Sequence, residues 1–418
     1  MPFNLRNIMY QIKKIASIAF IILLTTQITN CFAQSKSDYI GRNLNTITTA
    51  VPFLMISPDA RAGAMGDAGV SSSPDANSMH WNPAKYAFIE NNLGFSVAYS
   101  PWLKALVDDI NLYYVTGYYK LGEQHAIAAS LLFFSLGQIE FTDVNAERIA
   151  TRNPNEFAID LAYSRKFSPK WSGAVAGRFI NSNITQNINV GTSSTKPGRS
   201  VAADVAVYYV DDISFPQNNI DGKFSFGLDI SNIGTKISYS DDNTRKDFIP
   251  TNLRLGPSLL LNLDEFNSLT FMVDFNKLLV PTPPIYETDS NGPVVGPDGN
   301  QKILKGKNPD VSVVSGMLQS FYDAPDGFSE EIKEISYSIG VEYWYEKQFA
   351  IRGGYFYEDE MKGNRKYFTL GAGLKYNVFG LDFSYLIPTD QKNPLENTLR
   401  FTLLFDFAAL NKKDKSLK

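Results

Sequence analysis

The stretch that decides the fold is Ile335-Ser336-Tyr337-Ser338-Ile339-Gly340-Val341-Glu342-Tyr343. Every second residue is large and apolar or aromatic, and the residues between them are small or acidic. A repeat of two residues is typical of a β-strand whose faces meet different environments, whereas a helix repeats after about 3.6 residues. The same alternation recurs at 157–164, 224–231 and 399–407. The body of the chain is therefore predicted to consist of strands with one apolar face.

Fourteen such segments can be counted from residue 93 onward. An even number of short alternating segments is typical of an outer-membrane barrel, because lipid offers no hydrogen bonds and the strands must close on one another. The predicted strands are 93–100, 109–121, 124–138, 154–167, 171–182, 199–211, 223–232, 251–262, 267–276, 333–346, 348–357, 366–377, 379–387 and 397–407. We therefore predict an all-β fold, a 14-stranded antiparallel transmembrane β-barrel at 93–407 with an N-terminal hatch segment at 34–92.

The connections between these strands alternate in length. Tight ones such as Gly122-Glu123 and Lys347 follow even-numbered strands, and longer ones follow odd-numbered strands, with 211–222 as the exception. A barrel with short periplasmic turns and long external loops has this parity. The alternative, a secreted β-sandwich or propeller, has no reason to show it. We expect an outer-membrane location, both termini in the periplasm and a long external loop at 277–332.

Composition restricts the remaining classes. The chain has 418 residues, a formal net charge of −4, two His and one Cys. These numbers disfavour a nucleic-acid surface, a disulfide scaffold and a His-centred metal site. Aromatic residues make up 13% of the chain, and we expect girdles at the membrane–water boundaries. The expected girdle residues are Tyr113, Tyr114, Tyr118, Tyr119, Tyr208, Tyr209, Tyr343, Trp344, Tyr345, Tyr355, Phe356 and Tyr357.

Residues 1–33 have the pattern of a secretory signal peptide. Lys13-Lys14 precede the apolar run 15–24, and small residues up to Ala33 follow it. One alternative is a membrane anchor, which needs about 20 apolar residues. The other is a lipid-modified Cys31, before which Asn30 is an unsuitable residue. We predict cleavage after Ala33 and a periplasmic C-terminal tail at 408–418.

Residues 34–92 do not alternate and are rich in Gly and Ala, which allow close backbone packing. We expect this segment to plug the barrel and to contain a short helix from about Pro74 through Met79. Asp59, Arg61 and Asp67 are predicted to pair with charges on the inner wall. The expected wall charges are Arg178, Arg254, Arg400, Asp204, Asp229, Asp274 and Glu342. The hatch motif comprises Pro58, Asp59, Arg61, Gly63, Met65, Gly66, Asp67, Trp81, Asn82 and Pro83.

This motif carries a family resemblance. The stretch Gly66-Asp67-Ala68-Gly69 followed by Asn82-Pro83-Ala84 resembles the hatch of the FadL family, fourteen-stranded barrels that move hydrophobic compounds. With 58–65 and Trp81 included, the pattern resembles the PorV family of the type IX secretion system. The resemblance covers essentially the whole mature chain, and its specific part is the hatch.

The resemblance implies an outer-membrane shuttle rather than an enzyme or an open pore. It implies that the protein binds the C-terminal signal domain of secreted cargo. It further implies that cargo is collected at a translocon barrel of the SprA or Sov type and passed to the attachment complex with a PorU-type sortase. The alternatives are the neighbouring PorQ-like branch and a FadL-like transporter of hydrophobic small molecules.

The long loop 277–332 is the candidate binding element. It is rich in Pro and Gly and contains an apolar run, which is unusual in an external loop. Exposed apolar patches mark partner surfaces, so we expect this run to dock cargo or the translocon. The alternative is that it folds onto the barrel rim as a lid. The candidate residues are Val311, Val313, Val314, Met317, Leu318, Phe321 and Tyr322.

Enzymatic chemistry has little support in the sequence. An outer-membrane acyl hydrolase needs a nucleophile and a base in contact, yet neither His80 nor His125 has an evident Ser partner. No catalytic, cofactor-binding or metal-ligating residue is predicted, and no cofactor is expected. Glu358-Asp359-Glu360 is interpreted as a charged outer turn.

Overall fold

The computed structural model describes residues 44–142, 145, 147–186, 195–216, 220–240, 246–289, 292–297, 299–390 and 393–407. The predicted signal peptide, the predicted tail and therefore both termini lie outside these residues. Within the described part of the chain, no helix is both long enough and apolar enough to cross a membrane.

The fourteen predicted strands form one closed antiparallel barrel. They are β1 (Leu93–Pro101), β2 (Asn111–Leu121), β3 (His125–Ser135), β4 (Asn155–Lys166), β5 (Trp171–Asn183), β6 (Gly198–Phe215), β7 (Ile220–Gly234), β8 (Asn252–Asn262), β9 (Asn267–Leu278), β10 (Ile335–Tyr345), β11 (Phe349–Tyr357), β12 (Lys366–Tyr376), β13 (Phe379–Pro388) and β14 (Leu399–Asp406). β14 pairs with β1, with Val97 opposite Leu403. Closure leaves no free strand edge in lipid, and the predicted fold is confirmed.

Short and long connections lie at opposite ends of the barrel. The short turns are 122–124, 167–170, 216–219, 263–266, 346–348 and 377–378. The long loops are 102–110, 136–154, 184–197, 235–251, 279–334, 358–365 and 389–398.

The expected exception at 211–222 was wrong, because β6 continues to Phe215 and β7 begins at Ile220. The pairing there includes polar residues such as Asp212 and Ser214. Strand alternation is enforced only where one face meets lipid, so the sequence pattern ended before the strands did.

The outer wall is apolar and the inner wall is small or polar. On β5 and β6, the side chains of Val175, Val201 and Val205 are exposed, whereas Arg178 and Asp204 are buried inside. Successive strand residues point to opposite faces, so this arrangement follows directly from the alternation in the sequence. The predicted orientation of the two faces is confirmed.

Part of the predicted aromatic girdle was wrong. Tyr113, Tyr119 and Tyr345 are exposed on the outer wall, as expected. Their neighbours Tyr114 and Tyr118 are buried inside the barrel, and so are Tyr208 and Phe356. Adjacent aromatic residues on a strand cannot share a face, and the inward ones fill the lumen.

Helices are short and occur in the hatch and in the longest loop. The hatch contains a 3-10 helix at Pro52–Met55, α1 (Ala60–Gly63), α2 (Ser78–Trp81) and a second 3-10 helix at Pro83–Phe88. The loop 279–334 contains α3 (Val313–Gln319), α4 (Phe328–Lys333) and two small ladders, Ile285–Tyr286 with Ile303–Lys305 and Thr288–Asp289 with Gly292–Pro293. The loop 136–154 contains a ladder of Ile139–Thr142 with Arg148–Arg152.

The hatch runs through the barrel from the long-loop end to the short-turn end. Asn45 donates its backbone N–H to the Met361 carbonyl oxygen (3.2 Å), and Ala50 donates to the Phe248 carbonyl oxygen (2.8 Å), both in long loops. At the other end, the Lys120 N–H donates to the Asn92 carbonyl oxygen (2.8 Å). The N-terminal end of the described hatch thus lies opposite the end at which β1 begins.

Candidate functional site: a filled lumen and an external loop

Asp59 organises the hatch from within. One carboxylate oxygen accepts a hydrogen bond from the Ala62 N–H (3.0 Å) and caps α1, and the other accepts one from Trp81 Nε1 (2.6 Å). The two bonds tie α1 to α2. Since both carboxylate oxygens are used within the hatch, the expectation that Asp59 pairs with the wall was wrong.

Two glycines of the motif are required by close contacts. Gly66 has a φ of +67°, and a Cβ there would lie 2.6 Å from the carbonyl oxygen of Tyr355 on β11. Its N–H donates to Thr369 Oγ1 on β12 (2.8 Å). A Cβ on Gly69 would lie 2.5 Å from the Trp81 ring. A larger residue at Gly66 would push the hatch away from β11, and a larger residue at Gly69 would displace the Trp81 ring.

The Asn82-Pro83 motif joins the hatch to the wall. Asn82 Oδ1 accepts from the Ala84 N–H (3.0 Å), and Nδ2 donates to the carbonyl oxygens of Val70 (3.1 Å) and of Val207 on β6 (3.0 Å). Pro83 takes a first helical position, where its missing N–H is not needed. The predicted helix at 74–79 was misplaced, because helical geometry begins only at α2.

Lys85 ends the stretch Trp81-Asn82-Pro83-Ala84-Lys85 that carries the family resemblance, but its buried contacts were not predicted. Its ammonium is buried and donates to the Gly69 carbonyl oxygen (2.8 Å) and to Ser72 Oγ (3.0 Å). Burying a lysine costs free energy unless its hydrogen bonds are made. Its position after Asn82-Pro83-Ala84 was the only available signal.

Arg61 links the hatch to the wall by an ion pair with Glu342 of β10. Nε lies 3.0 Å from Oε2 and Nη2 lies 2.8 Å from Oε1, so the contact is bidentate. The guanidinium also donates to Asp75 Oδ2 (2.7 Å) and to two oxygens of Ser73. Glu342 in turn accepts from Arg352 Nε on β11 (2.7 Å). A bidentate guanidinium–carboxylate pair fixes direction as well as distance. The expectation that Arg61 pairs with a wall charge is correct, and Glu342 is the partner among the candidates.

Asp67 contacts two strands near the closure of the barrel. Its Oδ2 accepts a hydrogen bond from the Tyr367 hydroxyl on β12 (2.6 Å), and its Oδ1 lies 3.7 Å from Arg400 Nη2 on β14. Arg400 also donates from Nε to the Ser57 carbonyl oxygen (3.1 Å). The expected pairing of Asp67 with Arg400 is thus present, although Tyr367 is the closer partner.

Asp274 of β9 holds the glycine-rich turn of the hatch. One of its oxygens accepts from the backbone N–H groups of Gly69 (2.7 Å) and Val70 (2.9 Å). The Arg254 guanidinium lies over the Trp81 ring, 4.7 Å from its centroid. The wall therefore binds hatch backbone and an aromatic face, which a search for charge pairs alone would not find.

Some of the remaining wall charges pair with one another. Arg178 lies 2.5 Å from Asp160 and 3.0 Å from Asp204. Arg254 is opposite Asp229 in the ladder of β7 and β8, and it donates hydrogen bonds to Asn276 Oδ1 (2.8 Å) and to the His80 carbonyl oxygen of the hatch (3.2 Å). The polar interior is thus satisfied partly by wall pairs and partly by the hatch.

The external loop presents an exposed apolar patch, which we define as Val314, Leu318, Phe321, Tyr322, Phe328 and Ile332. Leu318 is 64% exposed and Phe328 is 78% exposed. The predicted candidates Val311, Val313 and Met317 are half-buried instead. Phe328 and Ile332 were missed, although their spacing of four residues is that of one helix face.

The other side of α3 packs on the barrel rim. A Cβ on Gly316 would lie 3.0 Å from the Phe248 ring and 3.1 Å from Pro281, so the helix rests on the loop 235–251 and on its own loop. The run thus packs on the rim, as in the second alternative, and docking of cargo or the translocon stays a prediction. The helix covers the rim, and the apolar patch faces away from it.

Buried ion pairs fix the loop 279–334. We call the residues that form them the clasp, which consists of Lys277, Lys362, Glu330, Glu331 and Glu334. Lys277 Nζ lies 3.0 Å from Glu331 Oε2 and 2.6 Å from Glu334 Oε2. Lys362 Nζ lies 2.6 Å from Glu330 Oε1 and 2.9 Å from Glu334 Oε1. The clasp connects α4 to the end of β9 and to the loop 358–365.

The pKa of Glu330 in the clasp is lowered by its partners. Burial raises the pKa of Glu330, but the hydrogen bonds from Lys362 and from the Asp326 N–H outweigh it and leave that pKa below its ordinary value. Burial also raises the pKa of Asp323, whose carboxylate accepts from the Thr282 N–H (3.1 Å). Asn45 at the start of the hatch donates to Glu330 Oε1 (3.0 Å), so the hatch reaches the clasp.

The two histidines lie in separate environments. The His80 ring packs edge-on against Trp81 inside the barrel, with centroids 4.8 Å apart. His125 Nδ1 lies 2.6 Å from the Tyr163 hydroxyl at an exposed position. In the described part of the chain, no group of three or more His, Cys, Asp or Glu is placed to hold a metal ion.

The charged outer turn at 358–360 is an ion-paired loop. Glu358 lies 2.8 Å from Arg365, and Glu360 lies 2.8 Å from Lys366. Asp359 accepts a hydrogen bond from the Met361 N–H (2.9 Å). All three acidic residues thus have structural partners within one turn.

The barrel, the filled lumen and the loop parity define a class, a fourteen-stranded outer-membrane β-barrel closed by its own N-terminal segment. The family model described as "Type IX secretion system protein PorV" matches residues 40–285, which include the hatch and β1 through β9. This chain belongs to that family. A search of curated proteins gave no match.

Solved barrels with some similarity were also found. The toluene transporter TbuX of Ralstonia pickettii is 11% identical, and the alignment covers 87% of this chain and 99% of that one with a TM-score of 0.42. A FadL homologue of Pseudomonas aeruginosa is 10% identical over 87% and 99% of the two chains, with a TM-score of 0.41. Similarities at this level carry no argument about substrate.

Proposed function

We propose that this chain binds the C-terminal signal domain of secreted cargo and carries it from a translocon barrel of the SprA or Sov type to the attachment complex with a PorU-type sortase. Membership of the PorV family supports a place in type IX secretion. The observation that carries the docking step is the apolar patch on the loop 279–334. The protein acts as an adaptor and catalyses no reaction.

The patch has the properties of a partner surface. Four of its six side chains lie on α3 and α4, and Phe321 and Tyr322 follow α3 directly. All six are at the long-loop end, which faces outward in an outer-membrane barrel. Interface energy is concentrated in a few apolar and aromatic residues that become fully buried on binding. Phe321, Tyr322 and Phe328 are residues of that kind.

The clasp supports docking because it holds the patch in place before cargo arrives. Glu334 contacts both Lys277 and Lys362, so α4 is fixed to two separate parts of the barrel. A surface that is already ordered avoids the entropy cost of ordering on binding. Affinity is then determined by the side chains of the patch.

The filled lumen agrees with docking at the external face, but it does not separate this proposal from a FadL-like transporter, because that family has a hatch as well. A transporter of hydrophobic compounds needs a path through or into the barrel. Here the lumen holds a segment that is fixed by the ion pair of Arg61 and Glu342 and by wall hydrogen bonds from several strands. Binding at the external face needs no change in that segment.

The experiment compares two serine double variants in a strain that lacks the chromosomal gene. Leu318→Ser with Phe321→Ser removes the centre of the patch. Leu106→Ser with Val107→Ser changes two similarly exposed apolar residues in another long loop and is the matched control. We expect cells with the patch variant to retain cargo whose C-terminal domains are uncleaved. The purified patch variant should carry about tenfold less bound cargo than the unmodified protein.

The control variant should secrete and attach cargo normally. If the patch variant is present in the outer membrane at normal level and releases cargo normally, docking at this patch is refuted. If secretion is unchanged in a full deletion while uptake of a fatty acid or an aromatic compound is lost, the transporter alternative replaces the proposal.

A further inference from the structure

A basic cleft lies at the long-loop end of the barrel, between the loops 184–197 and 235–251. It has a volume of about 410 Å³ and is lined by Lys196, Pro197, Arg199, Lys236, Ser238 and Lys246. Four of these six side chains are cations. The cleft is separate from the apolar patch and has the opposite chemical character.

Backbone hydrogen bonds hold the walls of the cleft. The Lys196 N–H donates to the Tyr239 carbonyl oxygen (3.0 Å), and Ile237 and Asp247 exchange two backbone hydrogen bonds (2.9 and 2.8 Å). Ile237 is fully buried, so extended backbone turns the adjacent residues Lys236 and Ser238 to the other side, where they line the cleft. An ordered platform therefore presents the cations.

Lys236 is held by two protein contacts, whereas the contact of Arg199 is with a neutral group. The Lys236 side chain is 15% exposed, and its Nζ lies 4.2 Å from the centroid of the Phe248 ring and 3.3 Å from Asp310 Oδ1. Arg199 Nε donates to the neutral Asn181 Oδ1 at 3.3 Å. Cations gathered around one concavity repel one another unless an anion lies between them. The cleft is thus suited to a multivalent anion.

The position of Arg199 relates the cleft to the membrane. Arg199 lies on the outward face of β6, two residues from Val201, whose side chain is exposed on the apolar outer wall. At about 3.3 Å per strand residue, their Cα atoms are about 7 Å apart. Since long loops face outward, the cleft lies where the headgroups of the outer leaflet meet the apolar belt.

We propose that this cleft binds the phosphate group of a phosphorylated glycolipid of the outer leaflet. Arginine pairs with phosphate through two parallel hydrogen bonds, and lysine adds a point charge. Basic pockets at the headgroup level of membrane proteins bind anionic lipids in this way. Such a lipid would be held beside the loop 235–251, on which α3 rests. The assignment does not depend on the secretion role.

The test measures lipid binding to the purified full-length protein in detergent micelles by native mass spectrometry. The probes are bisphosphorylated lipid A, the same lipid after enzymatic removal of its phosphates, and inorganic phosphate. The cleft variant is Arg199→Gln with Lys246→Gln. The matched control is Lys170→Gln with Lys223→Gln, two exposed lysines at the short-turn end.

We expect the unmodified protein to bind bisphosphorylated lipid A, with affinity reduced about tenfold by the cleft variant and unchanged by the control. The dephosphorylated lipid should bind about as weakly to the unmodified protein as to the cleft variant. The proposal is overturned if the unmodified protein binds the two lipids equally. It is also overturned if the cleft variant binds bisphosphorylated lipid A as tightly as the unmodified protein does. Competition by inorganic phosphate at the concentration of the lipid would also overturn it, because the ligand would then be a free anion.

Discussion

The most informative perturbation of the hatch is Arg61→Ala. Its guanidinium makes two hydrogen bonds to Glu342, one to Asp75 and two to Ser73. The substitution removes all of them and leaves the hatch without its bidentate contact to β10. We expect the hatch to leave its closed position far more often than in the unmodified protein.

The magnitude follows from the burial of the pair. The side chains of Arg61 and Glu342 are 9% and 2% exposed, and removing one partner of such a pair costs about 3–5 kcal/mol. Glu342 keeps its hydrogen bond from Arg352 at 2.7 Å, so the lower end of that range applies. A cost of about 3 kcal/mol corresponds to a change of about 100-fold in the equilibrium between closed and displaced hatch.

Conductance in planar bilayers measures that equilibrium. The unmodified protein should show little steady current, because the lumen is filled. Arg61→Ala should increase the fraction of time spent in conducting states by about 100-fold. Arg365→Ala is the matched control, since it removes a 49% exposed arginine whose ion pair is with Glu358 of the loop 358–365 and not with the hatch, and it should leave the current unchanged.

A double-mutant cycle separates the pair from a general loss of packing. With Glu342→Gln already present, Arg61→Ala should cost less than it does alone, because the shared contact has been weakened. The reasoning is refuted if Arg61→Ala folds, inserts and remains as closed as the unmodified protein. It is equally refuted by a large stable current through the unmodified barrel.

Three further predictions concern the hatch and the clasp. Gly69→Ala should lower the thermal midpoint of the hatch, measured by Trp81 fluorescence, because the new methyl group would overlap the ring at a cost of about 1–3 kcal/mol. Lys362→Met should make the loop 279–334 more sensitive to added protease, because Glu330 and Glu334 lose a buried cation. In the unmodified protein, the protease sensitivity of this loop should rise as the pH falls. The pKa of Glu330 is lowered on folding, so the stabilisation that Glu330 gives the loop is complete above the ordinary value of 4.5 and is lost as the pH falls through the folded pKa. Glu330→Gln should weaken this pH dependence. An unchanged pH profile of protease sensitivity in Glu330→Gln would contradict the role given to Glu330.

The barrel was predictable because lipid imposes a simple rule on its sequence. Each strand must present an apolar face over the width of the membrane, so the period of two residues is visible in every strand. Outside the membrane the alternation is not required, and the predicted strands ended where it ended. The ends of β6 and β7 lie in polar surroundings, and the pattern gave no sign of their continued pairing.

The hatch was predictable in place but not in detail. Its motif predicted a plug and the pairing of Arg61 with a wall charge, with Glu342 among the candidates, since a buried arginine needs a carboxylate. The sequence did not indicate that Asp59 would cap α1 or that Asp274 would bind two backbone N–H groups. Such contacts depend on how a short irregular segment packs against the curved barrel wall, and a local sequence pattern does not specify that packing.

The polar inner wall gives the reason why the lumen stays filled. Thr369, Asp274 and Thr402 accept hydrogen bonds from hatch backbone N–H groups, and Glu342 accepts two from Arg61. If the hatch left, these groups and their partners would have to be hydrated or remain unsatisfied. A rigid, filled barrel can still hold long loops in fixed positions above the membrane. In the proposed role the barrel is a frame for the external surfaces, and docking of cargo on the loop 279–334 would need no passage through the lumen.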